Sequence, residues 1–160
     1  MKFALFIIST TLFVVFYIPL SRMEANLQNN SNGGIISLQF AFTQSRAEYI
    51  INSWNTELKP VALNSIYIDF GWIIAYVLLI VSFALFLEKP VITVFAVIAG
   101  ALDFIENSIH LVVLNRDLLD LIPVASVIAC AKFLSIIIAV FLVTLFAVLR
   151  IKNRGRADAK

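Results

Sequence analysis

Four stretches of this chain are each long and apolar enough to cross a bilayer, and this narrows the fold more than any other feature. Residues 3–20 read FALFIISTTLFVVFYIPL and residues 66–87 read IYIDFGWIIAYVLLIVSFALFL; residues 91–114 and 121–149 have the same character. A helix rises 1.5 Å per residue, so about 20 apolar residues traverse a hydrocarbon core of about 30 Å. The last stretch is long enough to tilt or to extend past the bilayer. Composition agrees. The chain is 61% hydrophobic and 14% charged, against about 45–50% and about 25% in soluble domains. The expectation is one all-α integral membrane domain, an antiparallel four-helix transmembrane bundle. A net charge of +2 is too small to imply nucleic acid. The single cysteine, Cys130, excludes an internal disulfide framework or a Cys-rich zinc site. Its apolar surroundings predict a small core residue.

Basic residues orient the spans. The tail at 150–160, RIKNRGRADAK, together with Lys2 and Lys89, places seven Lys/Arg on one side; Arg22, Arg46, Lys59 and Arg116 fall on the other. This bias predicts that both termini are cytoplasmic. The first span reads as an uncleaved anchor rather than a signal peptide, because YIPLSRMEAN contains no A-x-A-like cleavage site.

Residues 21–64 form the sizeable extracytoplasmic segment. NLQNNSNGG reads as a flexible loop. In GIISLQFAFT, Ile36, Leu38, Phe40 and Phe42 alternate with Ser37, Gln39, Ala41 and Thr43, which predicts a strand. Ser45 stands three residues before Glu48, a capping-box spacing that predicts a helix start. Tyr49, Ile50, Trp54 and Leu58 would share one side of that helix. The expected element is a small strand–helix unit. It would lie on the membrane surface with Tyr49 and Trp54 at headgroup level, or form a lid over an outward-facing pocket.

The third span carries a feature that lipid does not explain. LDFIENSIH places Asp103, Glu106, Asn107 and His110 within eight residues. At 100° per residue these four share an arc of about 100° on one helix face. Ala96, Ala99 and Gly100 extend that face with small side chains, which permit close helix approach. An ionisable group facing lipid at mid-depth costs about 2.5–3.5 kcal/mol or more, so the stripe must face the bundle interior. Lys132 in the fourth span matches Asp103 in depth, which predicts an ion pair. Ala125, Ala129, Ser135 and Ala139 share the Lys132 face. Asp69 in the second span, with Trp72 and Tyr76 on its face, suits the depth of Glu106 and His110. Asp69, Asp103 and Glu106 outnumber Lys132 three to one. Unless His110 is charged, the excess carboxylates carry protons or hold something cationic. As a metal site the stripe is incomplete: Glu106 and His110 are four residues apart, and the chain has no second histidine.

GIISLQFAFT, SRAEYIINSW, IDFGWIIAY and GALDFIENSIHL, taken in that order, resemble a family of small four-span bacterial membrane proteins of uncharacterised activity. The resemblance covers residues 34–110, and the outer spans match only in hydropathy. It rests on an Asp-Phe followed by a Tyr in the second span and an Asp-x-x-Glu-Asn in the third. It implies that Asp69, Tyr76, Asp103, Glu106 and Asn107 matter, and implies no activity. His110 and Lys132 lie outside the family's pattern.

The expected role is a scaffold, or a protein that binds a lipid or small amphipathic ligand in an acidic pocket in the outer half of the bundle. Asp69, Tyr76, Asp103, Glu106, Asn107, His110 and Lys132 are its candidate residues. The alternative is a membrane-embedded enzyme using Asp/Glu acid–base or metal-assisted chemistry on a lipid-soluble substrate. No nucleophile motif identifies it. The expected partner is the lipid bilayer, with a homo-oligomer if the role is transport; no cofactor and no resident metal are expected. These requirements differ. A scaffold needs every carboxylate satisfied and no cavity. A binding protein or an enzyme needs a cavity with a carboxylate open to it.

Overall fold

The computed structural model describes residues 2–157, with side chains for 2–153. Lys160, part of the basic tail, lies outside the described residues, as do the side chains of Arg154 and Arg156. Four long helices carry the apolar stretches: α1 (Lys2–Asn30), α4 (Leu58–Leu87), α5 (Pro90–Arg116) and α6 (Ile122–Ala157). Two short helices, α2 (Ile35–Gln39) and α3 (Gln44–Ile51), lie between α1 and α4, and a 3-10 turn at Leu119–Leu121 precedes α6. All four long helices are long and apolar enough to cross a membrane. α1 packs along α4, α4 along α5, and α5 along α6.

Contacts at one end show that neighbours run antiparallel. Lys2 Nζ, at the start of α1, lies 3.6 Å from Glu88 at the end of α4. The Arg150 guanidinium, late in α6, donates to the Phe86 carbonyl, and Lys89 Nζ sits 5.0 Å from the centre of the Phe146 ring. The turn between α4 and α5 is short. Glu88 ends α4 in the left-handed region (φ 59°), and Pro90 opens α5, where a missing backbone donor is harmless. This basic end lies opposite the cap end, which holds α2 and α3.

Much of the segment expected to form a loop and a strand is helical. α1 runs into the expected loop as far as Asn30, and residues 31–34 remain irregular. Gln28 Nε2 donates to Glu24 Oε1 (2.7 Å) and Asn30 Nδ2 to Asn26 Oδ1 (2.9 Å), both one turn back, and Leu27 is fully buried. The strand over 36–43 is replaced by α2 and a turn. Its buried side chains are Ile35, Leu38, Gln39 and Ala41, while Ile36, Phe40 and Phe42 are exposed. The inward face therefore follows a helical rather than a period-2 spacing. A strand would also need a partner strand to satisfy its backbone, and the described residues contain none. α3 starts two residues earlier than the Ser45 capping box implies. Thr43 is its N-cap, and its Oγ1 accepts from Arg46 N at 3.3 Å. Trp54 and Leu58 fall beyond α3. Trp54 is buried and donates Nε1–H to the Gly33 carbonyl at 2.8 Å, so it is no headgroup anchor. Cys130 is exposed on the outer surface of α6, contrary to its expected core position.

The interior divides into two apolar cores. At the cap end, large side chains including Leu27, Leu38, Ile50, Trp54 and Leu58 meet Ile66, Val113 and Ile122 from the long helices. Towards the basic end, Ala84, Ala96, Ala99 and Ala139 pack with Ile73, Tyr76, Ile80 and Ile92. The small residues bring helices close: a Cβ on Gly100 would lie 2.7 Å from Val77 Cγ2. Between the two cores, by position along α4, α5 and α6, lies a polar layer. It contains Asp69, Asp103, Glu106, Asn107, His110, Ser126, Lys132 and Ser135.

Glu24 ties the cap to the bundle. Gly34, the N-cap of α2, offers no side chain. Glu24 Oε2 accepts from Ile35 N (2.8 Å) and Oε1 from Ile36 N (3.3 Å) instead, so a carboxylate from another helix satisfies two open donors at a helix start. A Cβ on Gly34 would come within 2.4 Å of that carboxylate. Gly34→Ala is expected to displace Glu24 and weaken α2 docking by about 1 kcal/mol, the usual worth of a helix cap. Limited proteolysis should then cut within residues 31–43 several-fold faster while the thermal midpoint of the bundle changes little.

Candidate functional site

The polar layer is built on α5. Asp103, Glu106, Asn107 and His110 point inward with Ala96, Ala99 and Gly100, and all seven are buried. Outward-facing Val97, Ile98, Phe104 and Ile105 occupy the opposite side. α6 presents a matching face of Ala125, Ala129, Lys132, Ser135 and Ala139, all buried.

Lys132 occupies the centre. Its Nζ lies 3.0 Å from Asp103 Oδ1 and donates to it, and 2.6 Å from Glu106 Oε2 as an ion pair whose angle lies off a hydrogen bond. The Phe133 ring centre is 4.7 Å away. Asp103 and Lys132 are each 3% exposed and Glu106 is 0% exposed, so water does little to screen this triad. Tyr76 donates its hydroxyl to Asp103 Oδ2 at 3.1 Å, and both Asp103 oxygens are therefore engaged. Asn107 Nδ2 donates to Asp69 Oδ2 at 2.8 Å. Asp69 thus meets the stripe at Asn107, between the Glu106 and His110 positions that its depth suggested. His110 Nδ1 is 3.8 Å from Glu106 Oε1. Glu106 Oε1, Asn107 Oδ1 and both His110 nitrogens are enclosed without hydrogen-bond partners.

A cavity of about 430 Å³ opens beside this network. α4 forms its back wall with Ser65, Ile66, Asp69, Trp72 and Tyr76. α1 lines one side from Tyr17 to Gln28, α6 lines the other with Lys132, Phe133 and Ile136, and α2 covers the cap end with Ile35, Ile36 and Gln39. Because α1 packs on α4 and not along α6, the cavity lies in the gap between α1 and α6. Its walls are mainly apolar and aromatic. Its floor is ionisable.

Of the seven candidate residues, Asp69, Tyr76, Asp103 and Lys132 line the cavity; Glu106, Asn107 and His110 stand behind it and hold the lining in place. Among the described residues, no three His, Cys, Asp or Glu side chains converge into a metal-ligand set. The sequence reading missed the α1 and α2 contributions, above all Glu24 and Gln39. Gln39 was visible only as one polar residue in an apolar run, and a helical reading of 35–39 puts it on the inward face. Comparisons with protein-family models, curated proteins and solved structures returned no match.

The triad makes a direct stability prediction. Lys132→Met leaves two buried carboxylates without their cation, and breaking a buried pair from one side costs roughly 3–5 kcal/mol. Thermal unfolding in detergent should show a large fall in midpoint for Lys132→Met. Adding Glu106→Gln to that variant should recover part of the loss, because it removes one of the stranded charges.

Proposed function

We propose that this chain is a multi-pass membrane protein that binds a lipid or small amphipathic ligand in the cavity between α1 and α6. The observation that carries this reading is the pairing of an apolar, aromatic-walled cavity with an ionisable floor inside a helix bundle. A pure scaffold has no use for such a cavity. Its volume of about 430 Å³ falls within the usual range for small-molecule sites, about 300–1,000 Å³. Asp69 Oδ1 makes no protein hydrogen bond and is not enclosed, so a carboxylate oxygen remains available to a ligand. A gap between two spanning helices admits the apolar part of a ligand directly from the membrane.

The uneven spread of Lys and Arg supports placing both termini on the cytoplasmic side, and the resemblance points to a bacterial inner membrane. The cavity then lies in the outer half of the bundle beneath the α2–α3 cap. The resemblance over residues 34–110 is compatible with this reading and adds no activity to it. Catalysis is the weaker alternative. Asp69 meets the first requirement of acid–base chemistry. However, the two serines that line the cavity, Ser21 and Ser65, donate to backbone carbonyls of their own helices at 3.0 and 2.8 Å rather than to a base.

Native mass spectrometry of the protein extracted in mild detergent tests the reading. The wild type is expected to retain an adduct of lipid or amphiphile mass. Leu20→Trp, which fills the cavity from α1, should lose it while keeping the wild-type thermal midpoint within a few degrees. A bare polypeptide mass for both proteins would overturn the proposal and return the polar layer to a purely structural role.

A further inference from the structure

If the cavity is an amphiphile site, its polar end determines which head group fits. The first observation is formal charge. Asp69, Asp103 and Glu106 face one ammonium, that of Lys132. Two formal negative charges remain over, to be neutralised by protons or by a bound cation, in a region where uncompensated charge is strongly disfavoured. Lys132 is already engaged by two carboxylates, so it offers little to an incoming anion.

The second observation concerns open acceptors. Asp69 uses one oxygen for Asn107 and keeps the other free. Gln39 is 5% exposed, lines the same cavity from α2, and makes no side-chain hydrogen bond to the protein. Its amide atoms are not among the enclosed unpartnered atoms, so they open into the cavity and stay available to a ligand. Together the two residues present carbonyl-type oxygens from opposite sides of the polar end.

The third observation is aromatic. Trp72 and Tyr76 line the cavity next to Asp69, and Tyr17 faces them from α1. The Trp72 ring centre is 5.7 Å from that of Tyr17 and 6.3 Å from that of Tyr76. Aromatic faces attract cations, tryptophan most strongly.

We infer that the cavity takes an amphiphile with a primary ammonium head. The ammonium donates to the free Asp69 oxygen and to the Gln39 carbonyl, with Trp72 beside it. The chain leaves past Leu20 and Ile136 through the gap between α1 and α6. A bare metal cation would leave the apolar walls unused, and a carboxylate head would meet the excess negative charge. This inference rests on the cavity being a ligand site, and the test separates the two claims.

Three probes share a twelve-carbon chain: dodecylammonium, dodecanol and dodecanoate. Each is titrated into the wild-type protein in maltoside micelles, and intrinsic tryptophan emission is read. Saturable binding of dodecylammonium at least tenfold tighter than of dodecanol, with dodecanoate weakest, is expected. Asp69→Asn should reduce the ammonium-to-alcohol preference to below threefold. Gln39→Leu, on the short α2 helix and outside the polar layer, should reduce it several-fold, so the result does not depend on one variant folding. Equal affinity for all three probes in the wild type would overturn the head-group assignment and leave the cavity reading standing. Absence of saturable binding by any probe would overturn both.

Discussion

The Lys132 ammonium, held between Asp103 and Glu106 at the centre of the bundle, is the interaction on which the rest of the structure depends. A charge at mid-membrane depth is tolerated only if it faces protein and finds an opposite charge. That requirement fixes the rotation of α5 and α6 about their own axes. Once Asp103 and Glu106 must face Lys132, Ala96, Ala99 and Gly100 also face inward on α5, and Ala125, Ala129 and Ala139 on α6. Small residues along both seams let the helices close around the triad. The Tyr76 and Asn107 hydrogen bonds then set α4 against the same network. Net stabilisation from such a pair is modest, because desolvation offsets much of the attraction. Its larger effect is on register.

α1 stands outside this arrangement and packs on α4 alone among the long helices. It contributes no charged group to the polar layer, so nothing electrostatic draws it against α6. The gap that results is the cavity. The cap end holds α1 through Glu24, whose carboxylate satisfies the first amides of α2. The fold therefore combines a three-helix unit locked by an ionic triad and buried hydrogen bonds with a fourth helix placed by apolar packing and a cap. The proposed ligand, entering from the membrane, would use such a division: a rigid polar floor and a side wall with less holding it shut.

Much of this was legible in the sequence because the relevant physics is local or strongly periodic. Hydropathy alone set the four long helices. The 100° advance per residue put Asp103, Glu106, Asn107 and His110 on one face, and equal depth paired Lys132 with Asp103. The cap was not legible for the same reason. In GIISLQFAFT both helical and alternating spacings leave an apolar face, and the choice is made by contacts that no local pattern contains: Glu24 on the α2 amides, Phe42 N donating to Ser126 Oγ at 3.0 Å, and Trp54 Nε1–H on Gly33. Each joins residues distant in sequence. The cavity was out of reach for a related reason. It is a space left where α1 and α6 fail to meet, and absence of packing has no residue pattern of its own.

The central claim is that α1 and α6 stand apart around an occupied cavity beside the Lys132 triad. A single-particle map of the protein in nanodiscs of native lipid examines that claim most directly. The account predicts elongated density between α1 and α6, flanked by Leu20 and Ile136 and ending against Asp69 beside Trp72. A map in which α1 packs closely along α6, with no space between Tyr17 and Phe133 and no density at Asp69, would contradict it.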